Sequence, residues 1–102
     1  MIHVIATIQL NPGAREAYLK EFLRLTPLVR AEAGCIEYGA AVDFPTPIPV
    51  QLPPRADTVT VVEKWQSAQH LADHLAAPHM SAYREKVGAM LKGLSLQILE
   101  PQ

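Results

Sequence analysis

Apolar and polar residues alternate over the first ten positions. Ile2, Val4, Ala6 and Ile8 fall on one face of an extended chain, and His3, Ile5, Thr7 and Gln9 on the other. That is the period of a half-buried strand over 2–10. Asn11-Pro12-Gly13 ends it, and the period then changes: Tyr18, Phe22, Leu25 and Val29 recur at alternating steps of four and three, one apolar stripe of a helix. Asn11 can cap this helix with Pro12 at its first position. Pro27 lies inside it and removes the hydrogen bond to the carbonyl of Leu23, which predicts a bend or a break. Gly34 supplies a C-terminal cap, and Cys35 to Val42 reads as a second strand.

The stretch FPTPIPVQLPP, residues 44–54, holds five of the nine prolines. It cannot be a central strand and is too apolar for a disordered linker, so it reads as an ordered surface loop or a pocket lid. Thr58 to Trp65 is β-branched and alternating, a third strand. Ser67 caps a helix running to about Leu75, Pro78 opens another running to about Leu91, Gly93 stops it, and Leu94, Leu96 and Ile98 mark a last strand. The order predicts an α+β fold, ferredoxin-like βαββαβ, with a four-stranded antiparallel sheet and its helices on one face. The other sheet face is left bare. A second copy packed sheet to sheet would cover it, giving a homodimer.

At 102 residues the chain is a single domain, 1–102, small enough that dimerisation would add useful stability. Hydrophobic residues make up 49% and the net charge is -1, so nothing electrostatic attracts nucleic acid or an anionic membrane. No apolar run approaches the ~18 residues that span a bilayer, and the start MIHVIATIQL lacks the basic region of a signal peptide. These features predict a cytoplasmic protein with no nucleic-acid or membrane partner. The single Cys35 has no CxxC or Cys/His spacing and reads as a small buried hydrophobe.

Chemistry concentrates in EKWQSAQHLADHLAAPHM, residues 63–80. Val59, Val61, Glu63 and Trp65 share one strand face, so Glu63 points the way Trp65 points. It can pair with a cation at a sheet edge or converge on a pocket. His70 and His74 share a helix face, but a zincin needs a glutamate directly after the first histidine and Leu71 stands there; no metal site is predicted. His70 reads as solvated and His79 as a first-turn surface residue. His74, nearer the apolar stripe of Leu71 and Leu75, is the better candidate to face the space between helix and sheet.

The set RAEAGCIEY, a strand ending in EKW, the helix SAQHLADHLAAPHM and an apolar final strand resembles the antibiotic biosynthesis monooxygenase family, which includes quinol monooxygenases and haem-degrading enzymes. The resemblance implies a dimeric α/β barrel built from two ferredoxin-like units, with a pocket between each sheet and its own helices. It also implies oxidation of a quinol or polyphenolic aromatic by molecular oxygen with no flavin, haem or metal: cofactors, none; partners, a small aromatic substrate and oxygen. On it, His74 and Trp65 carry catalysis, and Tyr38, Glu63, Arg84 and Phe22 contact substrate. The haem-degrading branch has asparagine, tryptophan and histidine where this chain has Thr7, His74 and Arg84. The alternative is a non-oxygenase of the same architecture, a small-molecule binding protein or an isomerase.

Overall fold

The computed structural model describes residues 1–102. Strand β1 (Ile2–Leu10) is followed by helix α1 (Arg15–Arg30), strands β2 (Cys35–Ala41) and β3 (Thr58–Trp65), helices α2 (Ala68–Leu75) and α3 (Pro78–Val87), a short 3-10 turn (Gly88–Met90) and strand β4 (Leu91–Leu99). The sheet order is β2-β3-β1-β4 and every neighbouring pair is antiparallel, the ferredoxin-like α+β arrangement that the element order predicts. No helix is long and apolar enough to cross a membrane.

Several boundaries differ from the sequence reading. Asn11 does not cap α1: the helix begins at Arg15 behind Ala14, without a side-chain cap. The Asn11 amide instead donates to the carbonyl of Ala89 at 2.9 Å, tying the end of β1 to the turn that enters β4. Helix α1 runs unbroken through Pro27, because the apolar stripe on both sides of the proline is anchored: Phe22, Leu25 and Val29 are all buried. Packing of that face outweighs one missing backbone bond. Helix α3 stops at Val87 and Gly93 lies within β4, paired with Gln9, not at a helix end.

Gly34 closes the turn after α1, with φ at +81°. A Cβ there would overlap the ring of His70, so the glycine is needed both for its left-handed backbone and for the close approach of α2. His70 is therefore a half-buried packing residue, not a solvated one; its Nδ1 lies 2.7 Å from the Ser67 hydroxyl, and Ser67 accepts from the His70 amide at the start of α2.

Strand alternation places Val4, Ala6, Ile8 and Leu10 of β1 and Val59, Val61, Glu63 and Trp65 of β3 on the helix-facing side, all buried. The register aligns these into rows: Tyr38, Glu63, Val4 and Ile98 in one, Ala40, Val61, Ala6 and Leu96 in the next. Directly paired residues project to the same face. The opposite face carries His3, Ile5, Thr7 and Gln9 beside Thr60, Val62 and Lys64, a mixed surface.

Gly34→Ala should cost about 1–3 kcal/mol, from backbone strain alone before the clash with His70 is counted, read as a lower urea midpoint. A variant as stable as the parent would show that neither the positive φ nor the approach of α2 is required.

Candidate active site

The helices cover the sheet over β2, β3 and β1 and leave a cavity of about 320 Å³ on the side of β4. Its wall is mostly apolar: Ala6 and Ile8 from β1, Phe22 from α1, Met80 and Val87 from α3, and Leu94 and Leu96 from β4. Tyr18, Tyr38, Glu63, His74, Tyr83 and Arg84 supply its polar groups. A concave apolar space with a few convergent polar groups is the usual form of a small-molecule site, and this volume lies at the lower end of the usual range of about 300–1,000 Å³.

His74 is held from behind. Its Nδ1 lies 2.9 Å from Oε2 of Glu32, and Nε2 of His79 lies 2.8 Å from the same oxygen. Glu32 stands in the turn after α1, His74 near the end of α2 and His79 at the start of α3, so one carboxylate joins three elements. With both imidazoles donating to it, the Nδ1–H tautomer of His74 is fixed. Its Nε2 then has a free lone pair and no protein partner, on a residue that lines the cavity. The His74 ring packs against Trp65 at 4.7 Å between centroids and edge-on to Tyr38 at 5.5 Å.

Glu63 is a buried carboxylate. Its Oε1 accepts from the Trp65 indole N–H at 2.8 Å, and no lysine or arginine pairs with it. Burial pushes its pKa above the ordinary value, the Trp65 hydrogen bond and His74 pulling it back only in part. Burial likewise pushes the hydroxyls of Tyr18, Tyr38 and Tyr83 up, so all three remain neutral phenols able to donate hydrogen bonds. The Tyr83 hydroxyl donates to that of Tyr18, leaving the Tyr18 proton for another acceptor. Phe22 and Tyr38 stack at 5.2 Å, only 11° from parallel, a flat wall for a planar ring.

Of the residues the sequence singles out, His74, Tyr38, Glu63, Phe22 and Arg84 meet at this cavity. Arg84 stands exposed at the rim, its Nη2 donating to the carbonyl of Leu75 at 2.8 Å. Trp65 requires a correction: it is fully buried, its N–H is taken by Glu63, and it is absent from the cavity wall. It sits behind Glu63 and His74 and positions them. His79 is half-buried against Glu32, not a free surface residue. The loop 44–54 contributes nothing to this cavity, so within its own chain it is no lid.

Glu32, Tyr18 and Tyr83 escaped the sequence reading as site residues. Glu32 lies 42 and 47 positions from its two histidines, a separation that no local pattern reveals. Tyr83 had a signal, since Met80, Tyr83 and Val87 recur at helical spacing.

Residues 1–86 match the sequence profile of the family described as antibiotic biosynthesis monooxygenase. The chain is 38% identical over 104 aligned positions to the Escherichia coli (strain K12) protein named Probable quinol monooxygenase YgiN, covering 99% of this chain and 98% of that one. Among solved structures, PA3566 from Pseudomonas aeruginosa superposes with a TM-score of 0.82 at 26% identity, covering 99% of this chain and 93% of the other. Rv0793 from Mycobacterium tuberculosis gives 0.79 at 26% identity, with 99% and 94% covered.

A raised carboxyl pKa disfavours folding once the unfolded chain can ionise. The penalty grows as pH climbs from the ordinary glutamate value of 4.5 through the higher folded one, and then levels. Glu63→Gln keeps an acceptor for Trp65 and removes the charge. Its urea midpoint should therefore gain on that of the parent between pH 4 and pH 8. A difference that stays constant with pH would show that Glu63 is not held as an unfavourable anion.

Proposed function

The chain belongs to the antibiotic biosynthesis monooxygenase family, and we propose that it oxidises a small quinol or polyphenol with molecular oxygen, using His74 as the base. The observation that carries this reading is the free Nε2 of a buried imidazole that lines an apolar cavity, backed through Nδ1 by Glu32. The name borne by the Escherichia coli relative supports the substrate class.

The substrate supplies its own electrons. A phenolic proton passes to Nε2 of His74, and Glu32 stabilises the imidazolium that forms, as a buried carboxylate does for a catalytic histidine. The quinolate gives one electron to oxygen, and the two radicals join through a new bond between a ring carbon and oxygen. The imidazolium returns its proton to the terminal oxygen. The O–O bond then breaks as the same ring carbon loses its proton, water departs, and a hydroxyquinone remains. One oxygen atom enters the product and the other leaves as water, so quinol plus oxygen gives hydroxyquinone plus water.

The chain's own residues serve this sequence by holding and shielding. The stacked pair Phe22 and Tyr38 orients the ring. The neutral hydroxyls of Tyr18 and Tyr38 donate to the substrate oxygen as it acquires charge, a contribution that strengthens in a water-poor space. The apolar wall keeps the radical pair from bulk solvent. Glu63 and Trp65 hold the rear of the site, and Arg84 guards its rim.

His74→Ala should lower oxygen uptake with a hydroquinone or naphthalenediol by roughly 100- to 10,000-fold, the usual loss on removing a general base. Glu32→Gln should lower it in the same direction by less, and Glu85→Gln, on the exposed side of α3, should leave it unchanged. An oxygen electrode with variants matched for thermal stability reads all three. If His74→Ala keeps the parent rate, or if no phenolic substrate consumes oxygen while the protein still binds quinols, the oxygenase reading falls and the alternative of a binding protein or isomerase stands.

A further inference from the structure

Breaking the O–O bond asks for two proton transfers together. The ring carbon must give up its proton, and the departing oxygen must receive one, because a bare hydroxide is costly in a water-poor space. An imidazole that takes the first proton is not free to supply the second. The cavity groups that carry exchangeable protons are Tyr18, Tyr38, Glu63, His74, Tyr83 and Arg84. Burial pushes the three phenols above their ordinary range, and Tyr83 already donates to Tyr18. A guanidinium does not release its proton, and Arg84 stands exposed at the rim with Nη2 on the Leu75 carbonyl. Beside His74, that leaves Glu63.

Glu63 is placed for the task. It stands on the sheet floor, paired across the ladder with Tyr38, while His74 belongs to α2 in the helix layer. Both line the cavity, so a ring lying between sheet and helices meets one of them from each layer. The Trp65 indole holds Oε1 at 2.8 Å, which fixes the carboxyl and leaves Oε2 without a protein partner. Nor is Oε2 sealed away: the single buried side-chain nitrogen or oxygen left unpartnered in this chain is Nε2 of His3. The free oxygen therefore opens on the cavity. Burial also raises the Glu63 pKa, which favours the protonated form that can donate.

We infer that Glu63 is the general acid of O–O cleavage, its Oε2 proton passing to the departing oxygen while Nε2 of His74 takes the proton of the ring carbon. The step balances. The C–H electron pair becomes the second bond of a new carbonyl, the O–O pair leaves with the terminal hydroxyl, and the Glu63 proton turns that hydroxyl into water. The proton now on His74 returns through the departing water to the Glu63 carboxylate, and both groups regain their starting states. Two titratable groups in unlike surroundings divide the base and acid roles. Without the Glu63 proton the intermediate has a second exit. The ring hydroxyl para to the carbonyl loses its proton and hydroperoxide leaves the ring carbon, giving quinone and hydrogen peroxide in place of hydroxyquinone and water.

This inference rests on oxidation through His74, and the product ratio tests it apart from the rate. With a naphthalenediol whose hydroxyls are para to one another, hydrogen peroxide and hydroxyquinone are measured per oxygen consumed, the protein-free reaction being subtracted. Glu63→Gln keeps the acceptor for Trp65 and removes the acid. It should raise the ratio of peroxide to hydroxyquinone at least about tenfold, since losing a general acid slows its own branch by roughly 100- to 10,000-fold. Glu63→Asp, with its acid withdrawn by one methylene, should fall between the parent and Glu63→Gln. A disturbed fold would slow both branches and leave their ratio alone. If the parent takes up no oxygen, the oxidation reading falls and this one with it. If the parent makes hydroxyquinone and Glu63→Gln keeps the parent's ratio, or Glu63→Asp is as uncoupled as Glu63→Gln, only the role of Glu63 is overturned.

Discussion

One carboxylate oxygen organises the cavity end of this molecule. Oε2 of Glu32 receives both His74 and His79 within 2.9 Å, and so pins the turn after α1 to the end of α2 and the start of α3. Hydrogen bonds to a charged partner contribute about 1.5–3 kcal/mol each. The same contact decides which nitrogen of His74 carries the proton, and hence which nitrogen is free to act as a base. Helix placement and the tautomer of His74 therefore rest on one interaction.

The sheet beneath carries a buried carboxyl of its own. Glu63 has only the Trp65 indole as a direct donor, and burial raises its pKa, whereas Glu32 has two imidazoles. A carboxyl of this kind is a cost to stability, and such costs gather where chemistry is done. Its position is dictated by strand register: Glu63 faces Tyr38 across one ladder and Val4 across the other, which centres it under the helices. Trp65, two residues on along the same face, turns its N–H back to Glu63 and its ring to His74, joining those two residues through one buried side chain.

The apolar surplus lies elsewhere than the strand alternation suggests. The bare sheet face is mixed, with His3, Thr7, Gln9, Thr60 and Lys64 among its residues, while the uncovered apolar side chains belong to the helix side of β4 and to the loop after β2. Three helices are too few to roof four strands, and the strand left out is the one that borders the cavity. An incomplete roof leaves the cavity open on that side.

The sequence by itself determined the elements and the topology. Period-two alternation over β1 and β3, helical spacing through Tyr18, Phe22, Leu25 and Val29, and the cap at Ser67 are local signals, each set by near neighbours along the chain. They also sufficed to put Glu63 and Trp65 on one strand face and His74 on the apolar side of its helix. Where local rules competed with packing they failed: Asn11 gave its side chain to Ala89 in place of α1, and Pro27 did not break a helix whose flanking residues are buried. Only the tertiary structure decided that Glu32 meets His74 and His79, that Tyr83 meets Tyr18, and that Trp65 stands behind the cavity wall. Those contacts join residues 42 to 65 positions apart, and a hydrogen bond between distant residues leaves no periodic trace in the chain. It exists only once strand register and helix packing have brought both partners to one place.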